Sequence, residues 1–99
     1  VIIVLGKIEF HPDDFESVKG LAATLMRETV KEKGCLKYAF ATDLTETNCL
    51  QLSECWTDEE ALRAHLQTSH IKAYREALKP IRVRSRVVQK YEAGEGRDL

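Results

Sequence analysis

Apolar positions along the chain recur at two spacings, every second residue or every third and fourth, and the switches between them mark six segments. In the first, Ile2, Val4, Ile8 and Phe10 share one face with Gly6 interrupting them, which is the period of a strand. The phrase HPDDFESV then opens a helix: Pro12 suits a first turn, and Asp13, Asp14 and Glu16 complement the positive end of the helix dipole. Phe15, Val18, Ala22, Leu25, Met26, Thr29 and Val30 follow at helical spacing, with Lys31 and Lys33 ahead of a stop at Gly34. Leu36, Tyr38 and Phe40 alternate between Cys35 and Thr42, and Leu50, Leu52, Glu54 and Trp56 between Cys49 and Trp56, so the polar link DLTETN joins an antiparallel hairpin. Thr57 with Glu60 forms a capping box for a helix carrying Ala61, Leu62, His65 and Leu66 on one face. That helix breaks near Thr68; Ser69 caps a second piece with Ile71, Tyr74 and Leu78, which ends at Pro80. In the last strand Ile81, Val83, Ser85, Val87, Gln89 and Tyr91 alternate against Arg82, Arg84, Arg86, Val88 and Lys90.

The order βαββαβ predicts an α+β, ferredoxin-like domain: a four-stranded antiparallel sheet with its helices on one face. It spans residues 1–92, and AGEGRDL at 93–99 is a polar tail. Helices on one face leave a remainder, because Val1, Ile3 and Leu5 point opposite to Ile2 and Val4 and also need burial. A second copy packed sheet to sheet supplies it, so the pattern predicts a homodimer with a cavity between the facing sheets.

Composition narrows the classes of function. A chain of 99 residues with 43% hydrophobic and 31% charged side chains is one folded domain, too apolar for a disordered segment. Fifteen basic against 16 acidic side chains leave a net charge of -1, which offers no field for nucleic acid or an anionic membrane. Cys35, Cys49 and Cys55 are odd in number and lack metal-ligand spacing, which suits free thiols in a reducing, cytoplasmic setting. VIIVLG has neither a basic flank nor a cleavage site, and no apolar run approaches the ~20 residues needed to span a bilayer.

The polar residues on apolar faces carry the candidate chemistry. Glu54 sits among Leu50, Leu52 and Trp56, and a buried carboxylate must find a cation or keep its proton. It is either half of an ion pair, with Arg84, Arg86 or a partner subunit, or a proton acceptor. His65, beside Ala61, Leu62 and Leu66, is either a hydrogen-bonded core residue or a base and substrate-orienting donor. His70 sits near the helix break, as a cap or facing solvent, and His11 has no chemistry around it. His65 and His70 are five apart, not the i, i+4 of an HExxH pair, and no CxxC, P-loop or GxGxxG occurs, so no metal or nucleotide is expected. Arg82, Arg84 and Arg86 form a basic row, either solvated or facing an anionic ligand.

The run SECWTDEEALRAHLQTSHIKAY resembles the segment that marks the antibiotic biosynthesis monooxygenases and their quinol monooxygenase relatives, in which E-x-W ends a strand, a histidine follows on the next helix and S/T-x-H comes after it. Glu54, Trp56, Ala61, Leu62, His65, Ser69 and His70 carry the match. The resemblance implies a dimeric αβ barrel that oxygenates a phenol or hydroquinone with dioxygen and no flavin, haem or metal. On that basis His65 is the catalytic candidate, with Trp56, Glu54, His70, Tyr74 and Arg84 around a small aromatic substrate. Two departures stand out. Polyketide-oxidising relatives place an asparagine on the strand leading to the tryptophan, where this chain offers only Gln51 or Ser53 as a replacement. Haem-degrading relatives use an Asn, Trp and His set, and His65 and Arg75 fall at the places of the Trp and His, which disfavours haem degradation. A non-catalytic binding or sensing protein and an isomerase or lyase on the same barrel remain the rival functions.

Overall fold

The computed structural model describes all 99 residues. It contains β1 (Ile2–Phe10), a 3₁₀ turn (Pro12–Asp14), α1 (Phe15–Thr29), β2 (Cys35–Thr42), β3 (Cys49–Trp56), α2 (Glu59–His65), α3 (Ser69–Leu78) and β4 (Val83–Glu92). The strands form one antiparallel sheet in the order β2-β3-β1-β4, so the ferredoxin-like βαββαβ fold predicted by the apolar pattern is the fold observed. β1 is central, with Ile2 opposite Trp56 on one side and Glu92 on the other. Just past the last strand, Ala93 exchanges hydrogen bonds with Val1. None of the helices is long and apolar enough to cross a membrane.

Local chemistry sets the helix ends, in places one residue away from the expected ones. His11 is the cap of the 3₁₀ turn, its Nδ1 accepting from the Asp13 N–H at 3.1 Å. α2 is capped by Asp58, whose carboxylate accepts from the Ala61 N–H at 2.8 Å, and not by Thr57. Thr68 rather than Ser69 caps α3, accepting from the Ile71 N–H. In each case the residue with extended backbone is the one whose side-chain oxygen reaches the open N–H three positions on. Thr57 is used elsewhere: its N–H donates to the Gly34 carbonyl at 2.9 Å, tying the α1–β2 turn to the start of α2. Gly34 has φ +83, and a Cβ there would stand 2.6 Å from that of Ala61, so both the left-handed backbone and the close approach require glycine.

Alternation decides what each face of the sheet meets. Ile2, Val4, Ile8 and Phe10 of β1 and Leu50, Leu52, Glu54 and Trp56 of β3 are buried on one side, against Val18, Ala22 and Leu25 of α1, Leu62 of α2 and Ile71 of α3. Each fully buried apolar side chain of this size contributes about 1.5–3 kcal/mol. The opposite face carries Ile3, Leu5, Ser53, Cys55, Val87 and Tyr91, with Leu5, Val87 and Tyr91 about half exposed at 49%, 61% and 47%. Two bulges interrupt the alternation. At the start of β2 the register skips Leu36, which turns outward at 59% exposure instead of joining Tyr38 and Phe40. Between Glu9 and Phe10 it skips Arg84, bringing Val83 opposite Phe10. The basic row expected from the sequence is therefore broken up: Arg82 precedes β4 and pairs with Asp14, Arg86 shares the helix-covered side with Ile8, and Arg84 is exposed without a polar partner.

Candidate active site

A cavity of about 360 Å³ lies between the helix-covered face of the sheet and helices α2 and α3. It is formed within one chain, whereas the cavity expected between facing sheets involves a second copy. Within one chain the short, broken second helical region does not fill the space over β1, β3 and β4. The volume falls in the ~300–1,000 Å³ range of small-molecule sites. Val4, Ile8, Phe10, Leu52, Ile71 and Val88 supply much of the apolar wall, and His65, Glu54, Tyr38, Tyr74, Arg75 and Arg86 are its polar members.

His65 is the most constrained of these. As the last residue of α2 it is only 2% exposed, with its ring 4.9 Å from the Trp56 indole and 5.3 Å from the Tyr38 phenol, centroid to centroid. Its Nδ1 lies 2.7 Å from Oε2 of Glu32. An ionised carboxylate only accepts, so Nδ1 donates and the lone pair of the neutral ring sits on Nε2. Nε2 has no protein partner, yet the one buried side-chain polar atom without a partner is Thr29 Oγ1. It is therefore reached by solvent from the cavity that the ring lines.

The same Glu32 oxygen lies 2.6 Å from Nε2 of His70. Five residues separate the two histidines, which on one continuous helix would point them apart. The chain instead ends α2 at His65 and restarts at Ser69, and the turn brings both rings onto one carboxylate. The expectation that His70 caps a helix or faces solvent is thus corrected: it is a hydrogen-bonded member of this cluster, 23% exposed, and does not line the cavity. Glu32 itself lies in the turn after α1, where its N–H donates to the Thr29 carbonyl and its own carbonyl accepts from Cys35. The Gly34–Thr57 contact two residues later holds that turn over α2.

Glu54 finds no arginine. Its Oε1 accepts from the indole Nε1–H of Trp56 at 2.9 Å, so the expected ion pair with Arg84 or Arg86 is replaced by a neutral donor two residues along the same strand face. Burial raises the Glu54 pKa above the ordinary carboxylate value, the Trp56 hydrogen bond opposes it, and the negative charge of Glu32 adds to the rise. Tyr38 is pushed upward by burial and by Glu54, and Tyr74 is pushed up to about 12 by burial against the opposing charge of Arg86. Both phenols therefore hold their protons at neutral pH and face the cavity as donors without a protein acceptor.

Of the six residues expected around the reaction, His65, Glu54 and Tyr74 line the cavity; Trp56 lies behind them against the His65 ring, His70 sits behind Glu32, and Arg84 is elsewhere. Gln51 and Ser53, the expected replacements for a missing asparagine, point to the other face, where Gln51 donates to Asp43. Glu32, Tyr38, Arg75 and Arg86 were not anticipated in these roles. Tyr38 shares a strand face with Phe40, and a tyrosine hydroxyl among apolar residues is the signal that could have singled it out.

Comparison with known proteins agrees with this architecture. The model of the antibiotic biosynthesis monooxygenase family matches residues 1–77. The Escherichia coli protein YgiN, named as a probable quinol monooxygenase, is 32% identical over 80% of this chain and 86% of its own length. A solved structure from Deinococcus radiodurans, named for the same family, superimposes with a TM-score of 0.90 at 25% identity, covering 100% of this chain and 98% of that one. Rv0793 from Mycobacterium tuberculosis shares the fold at 21% identity, with a TM-score of 0.87 over 98% of each chain. The protein is a member of the antibiotic biosynthesis monooxygenase family.

Proposed function

We propose that the chain is a cofactor-independent monooxygenase of quinol-like or polyphenolic aromatic substrates, working as a homodimer through the outer faces of its sheets. The observation that carries this reading is His65: one ring nitrogen bonded to a carboxylate, the other open to an apolar cavity. A phenol has a pKa of about 10, and bringing it near 7 takes about 4 kcal/mol of differential stabilisation. An oriented imidazole accepts the proton, and the Tyr38 and Tyr74 hydroxyls are suited to donate to the oxyanion that forms. The apolar walls exclude water, which strengthens those hydrogen bonds.

An electron-rich phenolate can reduce dioxygen itself. One oxygen atom then enters the ring, and the other leaves as water with the two hydrogens that the substrate gives up, so the substrate is the only reductant. His65 returns the borrowed proton to the departing oxygen, and no net proton is released. The name of YgiN supports a quinol as the substrate class. The half-exposed Leu5, Val87 and Tyr91 support the dimer, since burying them needs a second surface.

Incubation of metal-stripped protein with a panel of naphthohydroquinones and polycyclic phenols under ¹⁸O₂ tests the reading. The expected product carries one labelled oxygen, with the second recovered in water. Product formed under strict anaerobiosis, or saturable binding with no label in the ligand, would refute it.

A further inference from the structure

Three chain segments, one of them distant in sequence from the other two, converge on one atom. Glu32 comes from the α1–β2 turn, His65 from the end of α2 and His70 from the start of α3, and the two imidazole nitrogens lie 2.7 and 2.6 Å from the same carboxylate oxygen. All three candidate ligand atoms fall within 4.8 Å of one another. We propose that this cluster is a binding site for a divalent transition-metal ion, and that the ion switches His65 from a proton acceptor to a proton donor toward the cavity.

The donor set is two imidazole nitrogens and one carboxylate oxygen, which selects zinc, cobalt, nickel or copper over magnesium or calcium. It leaves at least one position for water, as in sites with three protein ligands. In a tetrahedral site with bonds of ~2.0–2.1 Å, ligand atoms stand about 3.3 Å apart. The two ring nitrogens, within 4.8 Å of each other, must close toward that spacing, a movement that falls to the partly exposed His70. The present 2.6 and 2.7 Å to Glu32 are hydrogen-bond distances, so the carboxylate must withdraw by about 0.6 Å. Glu32 is able to do so because it stands on a turn with its side chain partly open to solvent, whereas His65 is fixed between Trp56 and Tyr38. The 23% exposure of His70 gives the ion a way in from the surface.

Binding needs no net loss of protons when both rings are neutral. A metal on Nδ1 of His65 takes the lone pair there and moves the ring proton to Nε2; a metal on Nε2 of His70 moves its proton to Nδ1, which has no protein partner to oppose the change. Nε2 of His65 then presents N–H instead of a lone pair to the cavity. If the functional reading above holds, the metal-loaded protein has lost its base, and the ion is an inhibitor or regulator of the same site. The binding itself does not depend on that reading.

The test uses untagged protein stripped with chelator, with Zn²⁺ and Co²⁺ alone as probes. Equilibrium dialysis is expected to give one Zn²⁺ per chain, and Co²⁺ to develop the intense visible absorption of a four-coordinate site. Glu32→Gln and His70→Asn, each shown by circular dichroism to be folded, are expected to weaken binding at least about a hundredfold. ¹⁵N spectra of the histidine rings, recorded without substrate, should show the His65 proton moving from Nδ1 to Nε2 as zinc is added. These readouts survive even if no substrate is ever turned over. Where turnover is found, zinc should suppress it in the wild type and not in His70→Asn. Zinc affinity unchanged in both variants, or cobalt that keeps the pale spectrum of its hexaaquo ion, would overturn the site; zinc bound with the His65 proton still on Nδ1 would overturn the switch.

Discussion

The two faces of the sheet are built from the same strands and have opposite fates. On β3, Leu50, Leu52, Glu54 and Trp56 turn toward the helices and are all buried, while Gln51, Ser53 and Cys55 turn the other way and are exposed or half-buried. The helix-covered face is completed within one chain and still encloses a cavity. The outer face holds Leu5, Val87 and Tyr91 at the surface with nothing in the chain to cover them. Under the proposed function the difference assigns chemistry to the face that a single chain covers and association to the face that it leaves open.

The sharpest contrast between the faces is in folding stability. Trp56→Ala removes a fully buried indole, empties the space beside His65 and leaves Glu54 without its donor. It should cost about 3–5 kcal/mol in chemical denaturation. Leu5→Glu and Val87→Glu on the outer face should leave the fold intact and instead raise the dimer dissociation constant at least about a hundredfold, equivalent to about 2.8 kcal/mol. Sedimentation of the wild type as a single chain at micromolar concentration would remove the assignment of the outer face to association.

A smaller effect separates two carboxylates, Glu54 and Asp14, that the structure perturbs in opposite directions. The Glu54 pKa is raised in the fold, so the native state holds its proton more tightly than the unfolded chain. Its contribution to stability is then fully present below the unfolded carboxylate pKa and is lost as pH rises through the folded value. Glu54→Gln, which keeps an oxygen for the Trp56 N–H, should raise the melting temperature at pH 8 and not at pH 4. Asp14 is the converse: hydrogen bonds from Arg82 hold its carboxyl below the usual range. Its stabilisation is present at neutral pH and fades as the pH falls through the folded value. Asp14→Asn, at a site 17% exposed and paired with the exposed Arg82, should give the smallest change of the set, one that added salt reduces further.

Most of the fold was legible because alternation and helical spacing are local signals, and a strand such as β3 carries them without interruption. Legibility failed where one residue changes the register. The bulge that skips Arg84 sends Arg86 to the cavity and leaves Arg84 outside, and no alternation pattern marks a bulge in advance. Glu32 was hidden for another reason: between Lys31 and Lys33 it looks like part of a solvated turn, and nothing local links position 32 to positions 65 and 70. The spacing of His65 and His70 is itself misleading: a predicted break near Thr68 does not say how the two pieces are angled, and the Leu66–Thr68 turn folds the rings together. His65, Glu54 and Trp56 were singled out correctly as polar or aromatic groups on a buried face, and their partners came only with the tertiary structure.

The most direct test of the central claim, that the helix-side cavity is a reaction site with His65 as its base, is the initial rate of oxygen uptake by His65→Gln beside the wild type on a naphthohydroquinone substrate. The account predicts uptake above the autoxidation background in the wild type and a fall of about 10²–10⁴-fold in the variant, with the fold preserved. Equal rates in the two proteins would contradict it and leave His65 as a core residue held in place by Glu32.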